Sequence, residues 1–137
     1  MMKKSGLIVL ILCVLLLVSC SSAPASDAEV EELIRVDLIL PTGPVKTSET
    51  VPFEARVTQG ESPVEDAQEV EFEFRLADQV EFQRIEAKHE EDGRYRIEKA
   101  FEVEGTYEVT AHVTARGMHV MPKKEIVVGD LWRSELR

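Results

Sequence analysis

Three features of the sequence predict an all-β fold, an immunoglobulin-like antiparallel β-sandwich of about seven strands. From Ile34 to Val128 apolar and polar residues alternate with period two, the pattern of strands that bury one face. Clusters of Gly, Pro and Asp cut the alternation into short runs, as turns between antiparallel strands do. No stretch in that region carries a helical period of useful length.

The residues ahead of the strands read differently. Met1-Met2-Lys3-Lys4 is basic, Leu7 to Val18 is apolar but short for a membrane span, and Ser19-Cys20-Ser21-Ser22 closes the run with small residues. Residues 1–19 are therefore expected to be a lipoprotein signal peptide. Leu17-Val18-Ser19-Cys20 resembles the cleavage box of bacterial lipoproteins, in which the cysteine is acylated and becomes the new N-terminus. Cys20 is then the lipidation site, and residues 20–29 are that lipidated cysteine with a flexible tether of small residues. The expected location is the extracytoplasmic face of the cell membrane, held there by the lipid on Cys20. Cys13 leaves with the signal, so the folded part has no thiol. A disulfide, a cysteine nucleophile and a thiolate metal site are all excluded there.

Residues 30–129 are assigned to the sandwich, which is one domain's worth of chain. The first strand lines up Ile34, Val36, Leu38 and Leu40 and stops at Pro41-Thr42-Gly43-Pro44. The second lines up Val51, Phe53, Ala55 and Val57 and ends at Gln59-Gly60-Glu61-Ser62-Pro63. Glu69 to Leu76 then alternates charged and apolar side chains without a slip, which no helix of comparable quality could do. A fourth strand is expected from about Val80 to His89, and the change of parity between Phe82 and Ile85 points to a bulge near Gln83-Arg84. Glu91-Asp92-Gly93 is a turn, Asp-Gly being among the stronger hairpin signals. Tyr95, Ile97 and Phe101 mark a fifth strand, Tyr107, Val109, Ala111 and Val113 a sixth, and Ile126 and Val128 a seventh. Residues 130–137 form a C-terminal tail outside the pattern, and its Trp132 is expected to pack back on the sandwich.

Charge narrows the choice of partner. The chain has 16 basic and 26 acidic residues, and loss of Lys3 and Lys4 with the signal leaves 14 basic ones and a formal charge near −12. Nucleic acid is an implausible partner for such a surface. The acidic residues are spread along the strands and form no calcium loop; a solvated face that keeps an exported protein soluble is the simplest account of them.

Every imidazole and thioether of the expected mature chain falls between positions 89 and 121: His89, His112, Met118, His119 and Met121. Imidazole nitrogen with thioether sulfur is a ligand set that suits copper, Cu(I) above all. If Arg116-Gly117 is the two-residue turn of a hairpin, facing residues have numbers that sum to 233, so Thr114 opposes His119 and His112 opposes Met121. His112, His119 and Met121 then share the outer face, within reach of one ion. A loop with an odd number of residues would instead bring in Met118 and turn His119 and Met121 away. His89 shares parity with Ile85 and Ala87 and is a further nitrogen ligand or a polar residue at a strand end. Pro122 cannot donate to a ladder and marks an edge or a break.

The segments Ala87-Lys88-His89-Glu90-Glu91-Asp92-Gly93-Arg94-Tyr95 and Ala111-His112-Val113-Thr114-Ala115-Arg116-Gly117-Met118-His119-Val120-Met121-Pro122, behind a lipoprotein signal, resemble the YtkA-like domain of bacterial lipoproteins, related to the FixH group. The likeness runs from about Val30 to Gly129. It implies a β-sandwich outside the cytoplasmic membrane that binds copper and helps deliver it during cytochrome oxidase assembly, with an oxidase subunit as a possible acceptor. Carried over residue by residue, it points to His112, Met118, His119 and Met121, with His89 from the first segment. The expected function is a membrane-anchored Cu(I) carrier and not an enzyme, since no nucleophile with a paired base and no enclosed pocket is visible. Because neutral imidazole is the ligand, binding should weaken below about pH 6. The alternative is an immunoglobulin-like envelope interaction module without metal. A metalloenzyme using His112, His119 and Glu108 ranks behind both.

Overall fold

A computed structural model describes residues 31–130; the signal peptide, the tether with Cys20 and the tail with Trp132 lie outside the described residues. The strands are β1 (Ile34–Ile39), β2 (Val51–Gln59), β3 (Ser62–Pro63), β4 (Glu69–Leu76), β5 (Phe82–Glu86), β6 (Lys88–His89), β7 (Arg94–Lys99), β8 (Gly105–Ala115), β9 (Met118–Val120) and β10 (Lys123–Val128). One sheet has the order β1-β2-β7-β6, with β3 against the end of β2; the other has the order β10-β8-β4-β5, with β9 also against β8. Among the described residues the strand pairs are antiparallel, and a parallel bridge joins Val45 to Val128. This is the immunoglobulin-like sandwich that the alternation predicts, with the two-sheet order of that architecture.

The inward residues of both sheets form the core. Phe53, Ala55 and Val57 of β2 face Phe72 of β4 and Val109, Ala111 and Val113 of β8, all fully buried. Four phenylalanines meet at its centre: Phe53 stands edge-on to Phe74 at 4.9 Å and to Phe101 at 6.0 Å, with Phe72 at 6.5 Å. Near the start of β8 the Tyr107 hydroxyl donates to the Val103 carbonyl at 2.8 Å, the tyrosine-corner bond of such sandwiches. In the β6–β7 hairpin Asp92 and Gly93 have φ of 60° and 68°, the left-handed pair of a type I′ turn. Only glycine fits the second place, because a Cβ there would run into the carbonyl oxygen of Val57.

Between Val80 and His89 the chain departs from the expected single strand. β5 pairs with β4 in unbroken register from Phe82 to Glu86, so there is no bulge at Gln83-Arg84. The parity changes because Phe82 faces out: it is 52% exposed, with the Arg84 and Arg75 guanidiniums 5.3 and 5.7 Å from its ring centre. At Ala87, whose N–H donates to Val70, the chain leaves the second sheet, and Lys88 and His89 join the first beside β7.

Candidate metal centre

The last hairpin is built by two left-handed residues. Arg116 and Gly117 have φ of 52° and 74°, a type I′ turn whose twist matches that of the flanking strands. The Arg116 guanidinium holds the turn to Asp66 Oδ1 through Nε at 3.1 Å and a terminal nitrogen at 2.8 Å. The resulting register pairs Thr114 with His119 and Ala115 with Met118. It resumes beyond Pro122, with Ala111 N–H donating to the Pro122 carbonyl and Lys123 opposite Thr110. Met121 therefore lies across from His112.

Strand parity then sorts the five candidate ligands. On β8, Val109, Ala111, Val113 and Ala115 face the core, so His112 and Thr114 face out, and His119 and Met121 with them. His112 is largely covered, with 12% of its side chain exposed, whereas His119 is exposed and Met121 is 54% exposed. The two imidazole centres are 6.1 Å apart with planes inclined at 38°. Two imidazoles bound to one ion through bonds of about 2.0 Å have ring centres no more than about 6 Å apart, so the pair stands at the wide limit of that span.

Two candidates are elsewhere. Met118 opposes the fully buried Ala115, so its thioether packs against the core from the inner side of the sheet. His89 sits on the other sheet, opposite Tyr95, with ring centres 5.0 Å apart. Its displacement follows from the crossing at Ala87. Among the described residues no three His, Cys, Asp or Glu side chains converge as a metal-binding group. On the outer patch the side chain across the sheet from His112 is the thioether of Met121.

A carboxylate that the sequence reading passed over completes the surroundings. Glu73, on the outer face of β4, is only 6% exposed. Its Oε1 accepts from Arg75 at 2.8 Å; its Oε2 accepts from Arg84 Nε at 3.1 Å and lies 2.9 Å from His112 Nε2. On the far side of the pair, His119 Nδ1 lies 2.8 Å from the Thr114 hydroxyl. Each imidazole therefore has one nitrogen tied to a protein group and the other left for a ligand, the arrangement found around metal-binding histidines. Glu69 and Glu71 lie across from Thr114 and His112 and give the patch an acidic flank.

Burial alone would push the Glu73 carboxyl up, but hydrogen bonds from Arg84, His112 and Arg75 together outweigh it and hold it below the usual 4.5. A carboxylate whose folded value is lowered stabilises the fold fully above its unfolded value, and that contribution is lost as the pH falls through the folded one. Urea midpoints measured across an acid series should therefore decline below pH 4.5. The Glu73→Gln variant should show a shallower decline; an equally steep one would mean that other carboxylates carry the acid sensitivity.

Comparison with known proteins agrees with the fold. Among solved structures, an engineered protein aligns with a TM-score of 0.57 and 17% identity over 72% of this chain and 20% of its own. The endo-β-1,4-mannanase from Thermotoga petrophila aligns with a TM-score of 0.55 and 17% identity over the same shares, 72% and 20%. The chain thus spans about a fifth of the length of either, and at this identity the likeness is one of fold alone. No curated protein matches the chain. The family described as YtkA-like matches residues 28–112, which include His89 and His112 and stop short of Met118, His119 and Met121. With well over half of its residues matched, the chain belongs to the YtkA-like family.

Proposed function

We propose that the protein is a membrane-anchored, extracytoplasmic copper-binding protein that carries Cu(I) as cargo toward cytochrome oxidase assembly. The observation that carries the proposal is the outer-face trio of His112, His119 and Met121, in which both imidazoles keep one nitrogen on a protein partner and one for a ligand. Two nitrogens and a thioether favour a soft monovalent ion over magnesium or calcium. The shallow setting, with His119 and Met121 exposed, suits a carrier, since an incoming acceptor can replace the ligands one at a time. Acylation of Cys20 would keep carrier and acceptor on one membrane surface, and an oxidase subunit is the acceptor that the family resemblance suggests.

A competition titration against a Cu(I) chelator of known affinity tests this directly. One Cu(I) per chain is expected under reducing conditions, with weaker Cu(II) binding under oxidising ones. A protein that leaves all the copper with the chelator would instead be an envelope interaction module. That second reading draws on Val80, Phe82 and Val103, apolar side chains exposed on the sandwich.

A further inference from the structure

We infer that Glu73, clamped by Arg75 and Arg84, is a positioning residue that holds His112 in its Nε2–H form and so makes Nδ1 the nitrogen that binds metal. The inference rests on the copper reading above and deepens it by naming the donor atoms.

The argument is one of donors and acceptors. Flanked by two guanidiniums within 2.8 and 3.0 Å, the Glu73 side chain is a carboxylate and has no proton to give. A 2.9 Å contact between its Oε2 and His112 Nε2 is a hydrogen bond only if the imidazole donates. In neutral His112 the proton is therefore on Nε2 and the lone pair on Nδ1. His119 is not constrained in this way, because the Thr114 hydroxyl can either donate or accept. Metal binding through its free Nε2 would leave Nδ1–H to donate to Thr114. The pair is thus asymmetric, His112 binding through Nδ1 and His119 through Nε2.

The clamp also fixes where the ring lies. Glu73 belongs to β4, on one side of His112, and His119 and Met121 belong to the segment on the other side of β8. Arg84 reaches Glu73 from β5 and Arg75 from two residues along β4, so the carboxylate is held from three directions and cannot follow the imidazole away. A carboxylate spent on a surface ion pair would be exposed; this one is covered.

The test uses the full chain in detergent with 15N-labelled histidine, whose three imidazoles give a simple spectrum. In the metal-free protein at about pH 8, His112 should show a slowly exchanging Nε2–H and an unprotonated Nδ1. A proton on Nδ1 would overturn the inference. On addition of Cu(I), the coordination shift should appear on Nδ1 of His112 and on Nε2 of His119; a shift on His112 Nε2 would also overturn it. In Glu73→Ala, Nε2 of His112 is released, so the slow proton should vanish, copper should shift both nitrogens in part, and affinity should fall about 10- to 100-fold. A role confined to stability would leave the binding nitrogen unchanged. Should that variant not fold, the two spectra of the native chain still decide the matter. The metal-free spectrum is read without copper, so a chain that binds none refutes the carrier while the tautomer is judged separately.

Discussion

Replacing His119 and Met121 together by alanine should lower the affinity for Cu(I) at least about 100-fold, near 3 kcal/mol, because it leaves His112 as the sole donor on the patch. Both side chains are exposed, and His119 makes one hydrogen bond, to Thr114. Their removal should therefore leave the fold within about 0.5 kcal/mol of the parent, as surface changes usually do. Loss of binding with an unchanged urea midpoint is the expected signature. His89→Ala and Met118→Leu serve as controls and should keep full affinity, since one residue is on the other sheet and the other faces the core. Equal affinity of the double variant and the parent in the competition titration would remove the carrier reading, whereas a loss in His89→Ala would require a site that bridges the sheets.

The second large effect concerns the scaffold. Phe53→Ala should cost about 3–5 kcal/mol, because it deletes a fully buried ring and leaves a cavity that neighbouring side chains fill only in part. Phe53 is the third residue of β2, opposite Ile97 of β7, and packs on Phe72, Phe74 and Phe101. Against a net stability of roughly 5–15 kcal/mol for an ordinary domain, that loss is a large fraction of the whole. Phe82→Ala is the informative contrast. Its ring is half exposed and lies under the Arg75 and Arg84 guanidiniums at the surface, so about 1 kcal/mol should be lost. Denaturant midpoints of the two variants measure the difference, and comparable losses would mean that Phe82 is covered in solution.

Much of this arrangement can be read from local pattern. Alternation places Val51, Phe53, Ala55 and Val57 on one face of a strand, and all four are buried. Asp92-Gly93 and Arg116-Gly117 both form the tight turns expected of them, and the second sets the parity that gathers His112, His119 and Met121 outside. Where local pattern misleads, the chain changes its surroundings part-way along. The shift of phase between Phe82 and Ile85 looks like a bulge in the sequence, but arises because a surface phenylalanine is roofed by two arginines brought from β4 and β5. His89 shares parity with Ile85 yet belongs to a different sheet, because the chain crosses over at Ala87.

Sequence alone determined the core faces of the long strands and, given a two-residue turn at Arg116-Gly117, the side of the hairpin on which His112, His119 and Met121 stand, because those depend on a two-residue period and on turn chemistry within a few residues. Glu73 shows what it could not determine. Glu69, Glu71 and Glu73 are alike by alternation, three carboxylates facing out. The lateral register sets His112 of β8 opposite Glu71 and Arg84 of β5 opposite Glu73, and of the three carboxylates it is Glu73 that is buried and hydrogen-bonded to Arg75, Arg84 and His112 together. Neighbours along a strand are written in its own sequence, whereas neighbours across a sheet are chosen when the core closes.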